Sequence, residues 1–247
     1  MTTVCGRSSF AFNEHNLAGL RKIMATGPLP LWLSAAATVR VDVEQRKHLG
    51  ATSVPRAARR AAVLVPLCNC HGVASMLFTV RTSKVSTHKG QVSFPGGHID
   101  AGEDAVAAAL RETREEIGNK LGEMEVLGLC QTLPAVTGTP VTPVLAFVHH
   151  DVGDLLPDLD LSPDEVDSVF TLSVEDLLDP SFRGVDDLGL RGKLPAFTAG
   201  PSKVWGLTAA IAEGVLQRGI VPLLRDSSSA DDDSGSEPRE ATPNSAL

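Results

Sequence analysis

Cysteine is scarce in this chain and follows no pattern. The 247 residues include Cys5, Cys68, Cys70 and Cys130; their spacing fits no disulfide framework and points to a reducing compartment. The run Cys68–His71 could begin a zinc corner, but no second ligand pair answers it elsewhere in the chain, and a structural zinc site needs a full tetrahedral set. Long apolar runs are also missing. No stretch approaches the roughly 20 residues of a membrane-spanning helix, so a soluble protein with no membrane partner is expected. Basic charge is sparse in the body of the chain. Residues 1–60 hold nine Lys/Arg against three Asp/Glu, a balance of +6, and the net charge of −8 therefore leaves −14 on the rest. Such a body lacks the clustered Lys/Arg that a phosphate backbone rewards, which argues against a nucleic-acid partner. It admits a small anionic substrate where a cation bridges the repulsion.

What is present is enough apolar residue, 43% of the chain, for one sizeable core and a single catalytic domain. Residues 1–60 read as a basic N-terminal extension. Its first part has Arg7, Arg21 and Lys22 against Glu14 alone, which resembles a mitochondrial transit peptide, with a plain flexible N-terminus as the alternative. A short amphipathic helix can form within it at "EHNLAGLRKIMA". The globular signal spans 61–220. Strands are expected at 61–67 and 74–81 around an "NCHG" turn, then in "EVLGLCQTL" and "VTPVLAFVHH" on either side of a Pro/Gly-rich loop at 134–140. Residues 165–179 read as a strand entering a short helix, and 204–220 as the last packed helix. From Asp226 the chain is acidic with almost nothing to bury, and a disordered tail is expected over 226–247. Helices and strands interleave without a βαβ rhythm, so the fold class is α+β, a mixed sheet in a sandwich, and not a doubly wound sheet.

The most informative stretch is "FPGGHIDAGEDAVAAALRETREEIGNK", residues 94–120. On a helical wheel Val106, Ala109, Leu110, Thr113 and Ile117 fall on one arc of roughly 100°, the core stripe. Glu112, Glu115 and Glu116 share a second arc beside it. Like charges three and four residues apart cost about 0.2–0.5 kcal/mol per pair on an isolated helix, so something must offset them. Either the face is solvated, with Arg111 and Arg114 as local partners, or it holds a hard divalent cation that prefers carboxylate oxygens and water. The preceding Pro95, Gly96 and Gly97 allow a tight turn and close backbone approach to a ligand. Together with Gly118 at the expected helix end, they favour a station for phosphate and Mg²⁺.

At this point the stretch resembles the Nudix hydrolases. Their box, G-x5-E-x7-R-E-U-x-E-E-x-G-U, is met by Gly97, Glu103, Arg111, Glu112, Glu115, Glu116 and Gly118, with departures only at the aliphatic positions, Thr113 and Asn119. A chance match of the seven fixed letters in a chain this long is on the order of one in a million. Upstream, "LFTVRTSKVSTHKGQVSFPGG" is similar to the signature of the coenzyme A diphosphatase branch, in particular its animal mitochondrial type. Leu77, Thr79, Arg81, Gly90, Phe94, Pro95, Gly96 and Gly97 fit, while Phe78 replaces the second Leu, Thr82 replaces Ser or Ala, and Ser86 stands where that branch has a second Arg.

The resemblance implies a Nudix-type α/β/α sandwich and Mg²⁺-dependent hydrolysis of a diphosphate, with Mn²⁺ able to take the ion's place. The products from coenzyme A or its derivatives are 3′,5′-ADP and 4′-phosphopantetheine. It assigns Glu112 and Glu116 as the main metal ligands, Glu115 as a third ligand or the base, Glu103 as a loop holder or further ligand, and Arg111 as an orienting partner. Arg81, His88 and Lys89, with Gly96 and Gly97, become the contacts to a small nucleotide substrate. Other readings are a Nudix hydrolase of ADP-ribose or an NAD-type dinucleotide, and a non-catalytic binding protein on the same fold. A mitochondrial location follows the branch, with cytosol and peroxisome as alternatives; the terminal "SAL" lacks the basic residue of a peroxisomal "SKL".

Overall fold

The strand patterns read from the sequence come together as a mixed sheet with helices on both faces. The computed structural model describes residues 10–31, 59–83, 90–187 and 192–230. In chain order the elements are α1 (Glu14–Met24), β1 (Ala61–Cys70), β2 (Val73–Arg81), β3 (Val92–Ser93), β4 (Gly96–His98) and α2 (Ala105–Ile117). They continue with β5 (Met124–Leu129), β6 (Leu133–Pro134), β7 (Pro140–Val148), β8 (Val166–Ser173), α3 (Val174–Leu178), β9 (Arg183–Asp187), β10 (Lys193–Phe197), α4 (Gly206–Val215) and α5 (Val221–Ala230).

The main sheet runs β3-β2-β1-β7-β5, with β4 also on β1, β6 on β7 and β8 on β2. Parallel pairing of β1 with β7, from Ala61↔Val141 to Leu67↔Phe147, makes it mixed. Besides β7, β1 serves two partners in turn along its length: Ala61–Val63 pair with β4, and Leu67–Cys70 pair with β2. That split sets the glycine-bearing β4 beside the start of β1. Side chains alternate across the sheet. Val65, Leu67, Phe78 and Leu145 point into the larger core with α1 and α4, whereas Ala62, Leu64, Val144 and Ala146 pack under α2 with Ala108 and Ala109. The small residues beneath α2 let that helix lie close to the sheet.

The N-terminal segment departs from its composition. Residues 10–31, which sequence reading assigns to the extension, belong to the packed body: Leu17, Leu20, Met24, Leu29 and Leu31 are buried in the larger core. Asn13 and Asn16 form a reciprocal capping box at the start of α1. Asn69 brackets Phe12, accepting from its N–H and donating to its carbonyl, both at 2.9 Å. Further on, Leu29 bridges to the sheet edge, its N–H donating to Leu129 O at 2.9 Å and its carbonyl accepting from Gln131 N at 2.8 Å.

Two further features were not legible locally. β9 and β10 form a separate hairpin, held by Arg183, whose Nη2 reaches both oxygens of the buried Glu213 at 2.5 Å and whose Nη1 donates to Leu177 O at 2.6 Å. The last helix does not stop at Ile220 but runs on to Ala230 through a π-turn at Leu216–Ile220. There the Val221 N–H bonds back to Leu216 O, and the wider turn falls just before Pro222, which has no N–H to give. This continuity also corrects the absence of a long apolar stretch: Gly206–Arg225 is a 20-residue helix of mean hydropathy 1.3, long and apolar enough to cross a membrane by length and composition. Ala209, Ile211, Ala212, Val215 and Leu216 are nonetheless buried against the sheet, as in a core helix. Of the tail expected over 226–247, residues 226–230 belong to α5; residues 231–247, like residues 1–9 and 32–58 of the N-terminal extension, lie outside the described residues.

If α1 is part of the core, Leu20→Ala lowers stability by about 2–5 kcal/mol, the range for emptying a closed leucine site. Urea denaturation measures it, and a segment outside the packed body would show almost no change.

Candidate active site

The box helix is positioned at both ends. Asp104 caps its start, accepting from Ala107 N at 2.8 Å. Gly118 ends it at φ 79°, where a Cβ would stand 2.9 Å from Asp160 Cβ. Ser162 N donates to Glu116 O at 2.9 Å, and Lys120 Nζ pairs with Asp160 at 3.0 Å. The long connection into β8 is thereby tied to the C-terminal turn of α2.

On α2 the wheel is rotated from the expected stripe. Ala108, Ala109, Thr113, Glu116 and Ile117 are the buried positions, while Val106 and Leu110 are only half-buried. Glu116 therefore sits on the core side, 4% exposed, and is not one of three equivalent carboxylates on an open face. Thr113 is accommodated because its hydroxyl donates to Ala109 O at 2.6 Å.

The glycines meet these carboxylates directly. Gly96 adopts φ 151°, and a Cβ there would lie 2.3 Å from Ala62 O; its N–H donates to Glu116 Oε2 at 3.2 Å. A Cβ on Gly97 would come within 2.4 Å of Glu112 Cδ and 2.5 Å of both its oxygens. The close approaches that demand glycine here are thus to the sheet and to Glu112, so the glycine pair forms the wall against which Glu112 and Glu116 rest.

Arg111 organises the outer carboxylates. It makes five hydrogen bonds: Nε and Nη2 to the two oxygens of Glu103, Nη1 to Glu112 and Glu115, all at 3.0 Å, and Nη2 to His98 O at 3.1 Å. Glu103 also accepts from Asp100 N at 3.1 Å. It is a bidentate partner of Arg111 that closes the loop before α2, and this hydrogen bonding holds its carboxyl below the usual range. Glu115 is the outermost, with 54% of its side chain exposed.

The inner pair behaves in the opposite way. Burial pushes Glu116 up to about 8, against the opposing pull of Arg81 and the Gly96 N–H. Burial also raises Glu112, partly offset by Arg111. Arg81 reaches this pair from the end of β2, its Nη1 3.9 Å from Glu116 Oε1. Glu165, which sequence reading passes over, lies close enough for its charge to raise both inner carboxylates. The sheet brings it there: its carbonyl accepts from Thr82 N at 2.9 Å, and its neighbour Val166 pairs with Arg81. Nothing in the local run "SPDEVDS" distinguishes it from a solvated acidic turn. His88 and Lys89 lie outside the described residues.

Among the described residues no three His, Cys, Asp or Glu side chains converge as a closed metal site, because Glu103, Glu112 and Glu115 all turn oxygens toward Arg111. The donor set nevertheless fits Mg²⁺, which keeps several waters and needs only one or two carboxylates beside substrate oxygens. The buried Glu116 and the partly buried Glu112, seated on a glycine wall that no side chain could occupy, are the residues that could supply those ligands.

A mixed sheet between helical layers carries a glycine turn that feeds a carboxylate helix. Residues 58–188 match the NUDIX domain family. The chain is 44% identical over 197 residues to the human mitochondrial coenzyme A diphosphatase NUDT8, covering 76% of this chain and 80% of that protein. The mouse protein of the same name is 40% identical over 186 residues, covering 71% and 87%. The Nudix hydrolase NudL of Escherichia coli K12 is 36% identical over 179 residues, covering 66% and 85%. The chain belongs to the Nudix hydrolase family and is an enzyme of that class.

Gly97→Ala is expected to displace Glu112 and weaken Mg²⁺ binding about tenfold or more with the fold retained, as read by metal titration and circular dichroism. A pH dependence follows from burial of Glu116. Between its ordinary 4.5 and its folded value of about 8 the folded state keeps a proton that the unfolded chain has lost, so stability falls as pH rises through that window. Thermal melts in EDTA should show the metal-free protein losing stability across it, and Glu116→Gln should flatten the profile.

Proposed function

We propose that this enzyme hydrolyses the diphosphate bond of coenzyme A or its derivatives, releasing 3′,5′-ADP and 4′-phosphopantetheine with Mg²⁺ as cofactor. The observation that carries the reading is the buried Glu116 and the partly buried Glu112 side by side on the Gly96–Gly97 wall, in a chain 44% identical to a protein named for this activity. Bound at that pair, the ion would neutralise the diphosphate and lower the pKa of an attacking water.

The chain's own residues divide the remaining work. Glu112 and Glu116 would hold the ion, and Arg111 keeps Glu112 and Glu115 oriented through its rigid fork. Glu115, the most exposed carboxylate of the helix, is free of the burial that constrains the inner pair and suits the role of third ligand or proton acceptor from water. Glu103 acts through Arg111 and the loop. Arg81 supplies positive charge for the phosphates, with His88 and Lys89 as further contacts. In the hydrolysis water adds across the P–O–P bridge, one phosphorus taking the hydroxyl oxygen and the other leaving as a phosphate. The relatives' name also supports a mitochondrial setting for this chain.

The test is turnover of a panel of coenzyme A, acyl-coenzyme A, ADP-ribose and NAD, scored by product. Release of 3′,5′-ADP from coenzyme A in Mg²⁺ is expected, with kcat lowered more than about 100-fold in Glu116→Gln, as for loss of a metal ligand. Preferential cleavage of ADP-ribose or NAD would move the enzyme to another Nudix branch, and absence of any turnover would favour a binding protein.

A further inference from the structure

Arg81 is fixed from both edges of β2. Its N–H donates to Gln91 O and its carbonyl accepts from Gly90 N, both at 3.0 Å, while on the other edge it pairs with Val166 after a register shift between Val80 and Arg81. Its side chain is 28% exposed, and its Nη1 stands 3.9 Å from Oε1 of Glu116. That distance is beyond hydrogen-bond reach, so the contact is one of charge with charge. Glu116 accepts its hydrogen bond from the neutral Gly96 N–H on its other oxygen, and the groups crowding it, Glu112 and Glu165, carry its own sign. A half-exposed guanidinium loosely opposed to a buried carboxylate can leave without breaking a hydrogen bond to it.

A divalent cation on Glu112 and Glu116 would take the place of that positive charge and repel it. We propose that Arg81 is an exchangeable counter-ion of the ionised Glu116 carboxylate: it stands against that charge only while no metal does, and passes to a substrate phosphate once the metal is bound. The inference rests on reading the site as one for metal and diphosphate. It makes Arg81 a competitor of the metal and a partner of the substrate, so removing it acts on the two with opposite sign. A residue that only contacted substrate would leave metal affinity alone, and one that only braced Glu116 would weaken metal binding when lost.

The experiment is calorimetric titration of the full chain with MgCl₂ alone, without substrate, for wild type, Arg81→Gln and Arg81→Lys, followed by KM for the substrate the panel identifies. Arg81→Gln is expected to bind Mg²⁺ about three- to tenfold more tightly at low ionic strength, the gain shrinking with added salt, while KM rises. Arg81→Lys, which keeps the charge, should stay within about twofold of wild-type metal affinity and serves as the reading should the Gln variant fail to fold. Metal affinity in Arg81→Gln equal to or below wild type overturns the exchange; so does Arg81→Lys binding Mg²⁺ several-fold more tightly than wild type. If wild type binds Mg²⁺ and turns over substrate in either case, the diphosphatase reading stands without it. A wild-type chain that binds no Mg²⁺ removes both.

Discussion

Glu116 lies on the core-facing side of α2 with 4% of its surface exposed, and an ionised carboxylate in that position loses its hydration without a full charge partner. Burial of an unpaired charge is among the largest penalties a fold can carry. The surrounding structure is arranged around it. One oxygen takes the Gly96 N–H, Arg81 stands off the other, and the carbonyl of the same residue anchors Ser162. The remaining imbalance is one that a cation would offset, so a group that costs the fold stability is placed where a positive charge would be favoured.

Around Arg111 the rule is the opposite. Glu103, Glu115 and the Arg111-facing oxygen of Glu112 take four of the five hydrogen bonds of a single guanidinium, and that sharing fixes those oxygens. Because Arg111 also bonds to His98 O, the end of β4 and the helix are held as one body. The glycine wall and the carboxylates cannot drift apart without breaking this clamp. Preorganisation of that kind is what positions charge without reorganisation at the moment of reaction.

Much of this was legible because it rests on short-range periodicity. The carboxylate spacing, the glycine pair and the strand patterns at 61–67, 74–81 and 165–173 are local signals, and each appears near its expected place. The rest depends on contacts distant in sequence. The basic charges of residues 1–31 suggest an extension, yet Leu17, Leu20 and Met24 recur at helical spacing and find their partners in the sheet and in α5, with a Cβ on Gly19 only 2.6 Å from Leu223 Cδ2. Arg183 and Glu213 are thirty residues apart, so nothing local marks them as a buried pair. Glu165 enters the site only through the register of β8 on β2. The rotation that buries Glu116 while leaving Leu110 half-exposed came from the small Ala108 and Ala109, which let α2 roll onto the sheet.

The two faces of the sheet divide the demands of stability and chemistry. The face toward α1 and α4 carries the aromatic stack of Phe94, Phe78 and Phe170, with ring centroids 4.9 and 5.6 Å apart, and most of the large buried side chains. The face under α2 uses alanines and short aliphatics, burying less apolar area per residue. That thinner layer brings the helix backbone near the sheet, close enough for Gly96 to donate to Glu116 across the gap. A bulkier layer would lift α2 and open the glycine wall. The alanines at 108 and 109 therefore set the height at which Glu112 and Glu116 stand over the glycine pair, in the same way that Gly97 sets it through the space it leaves empty.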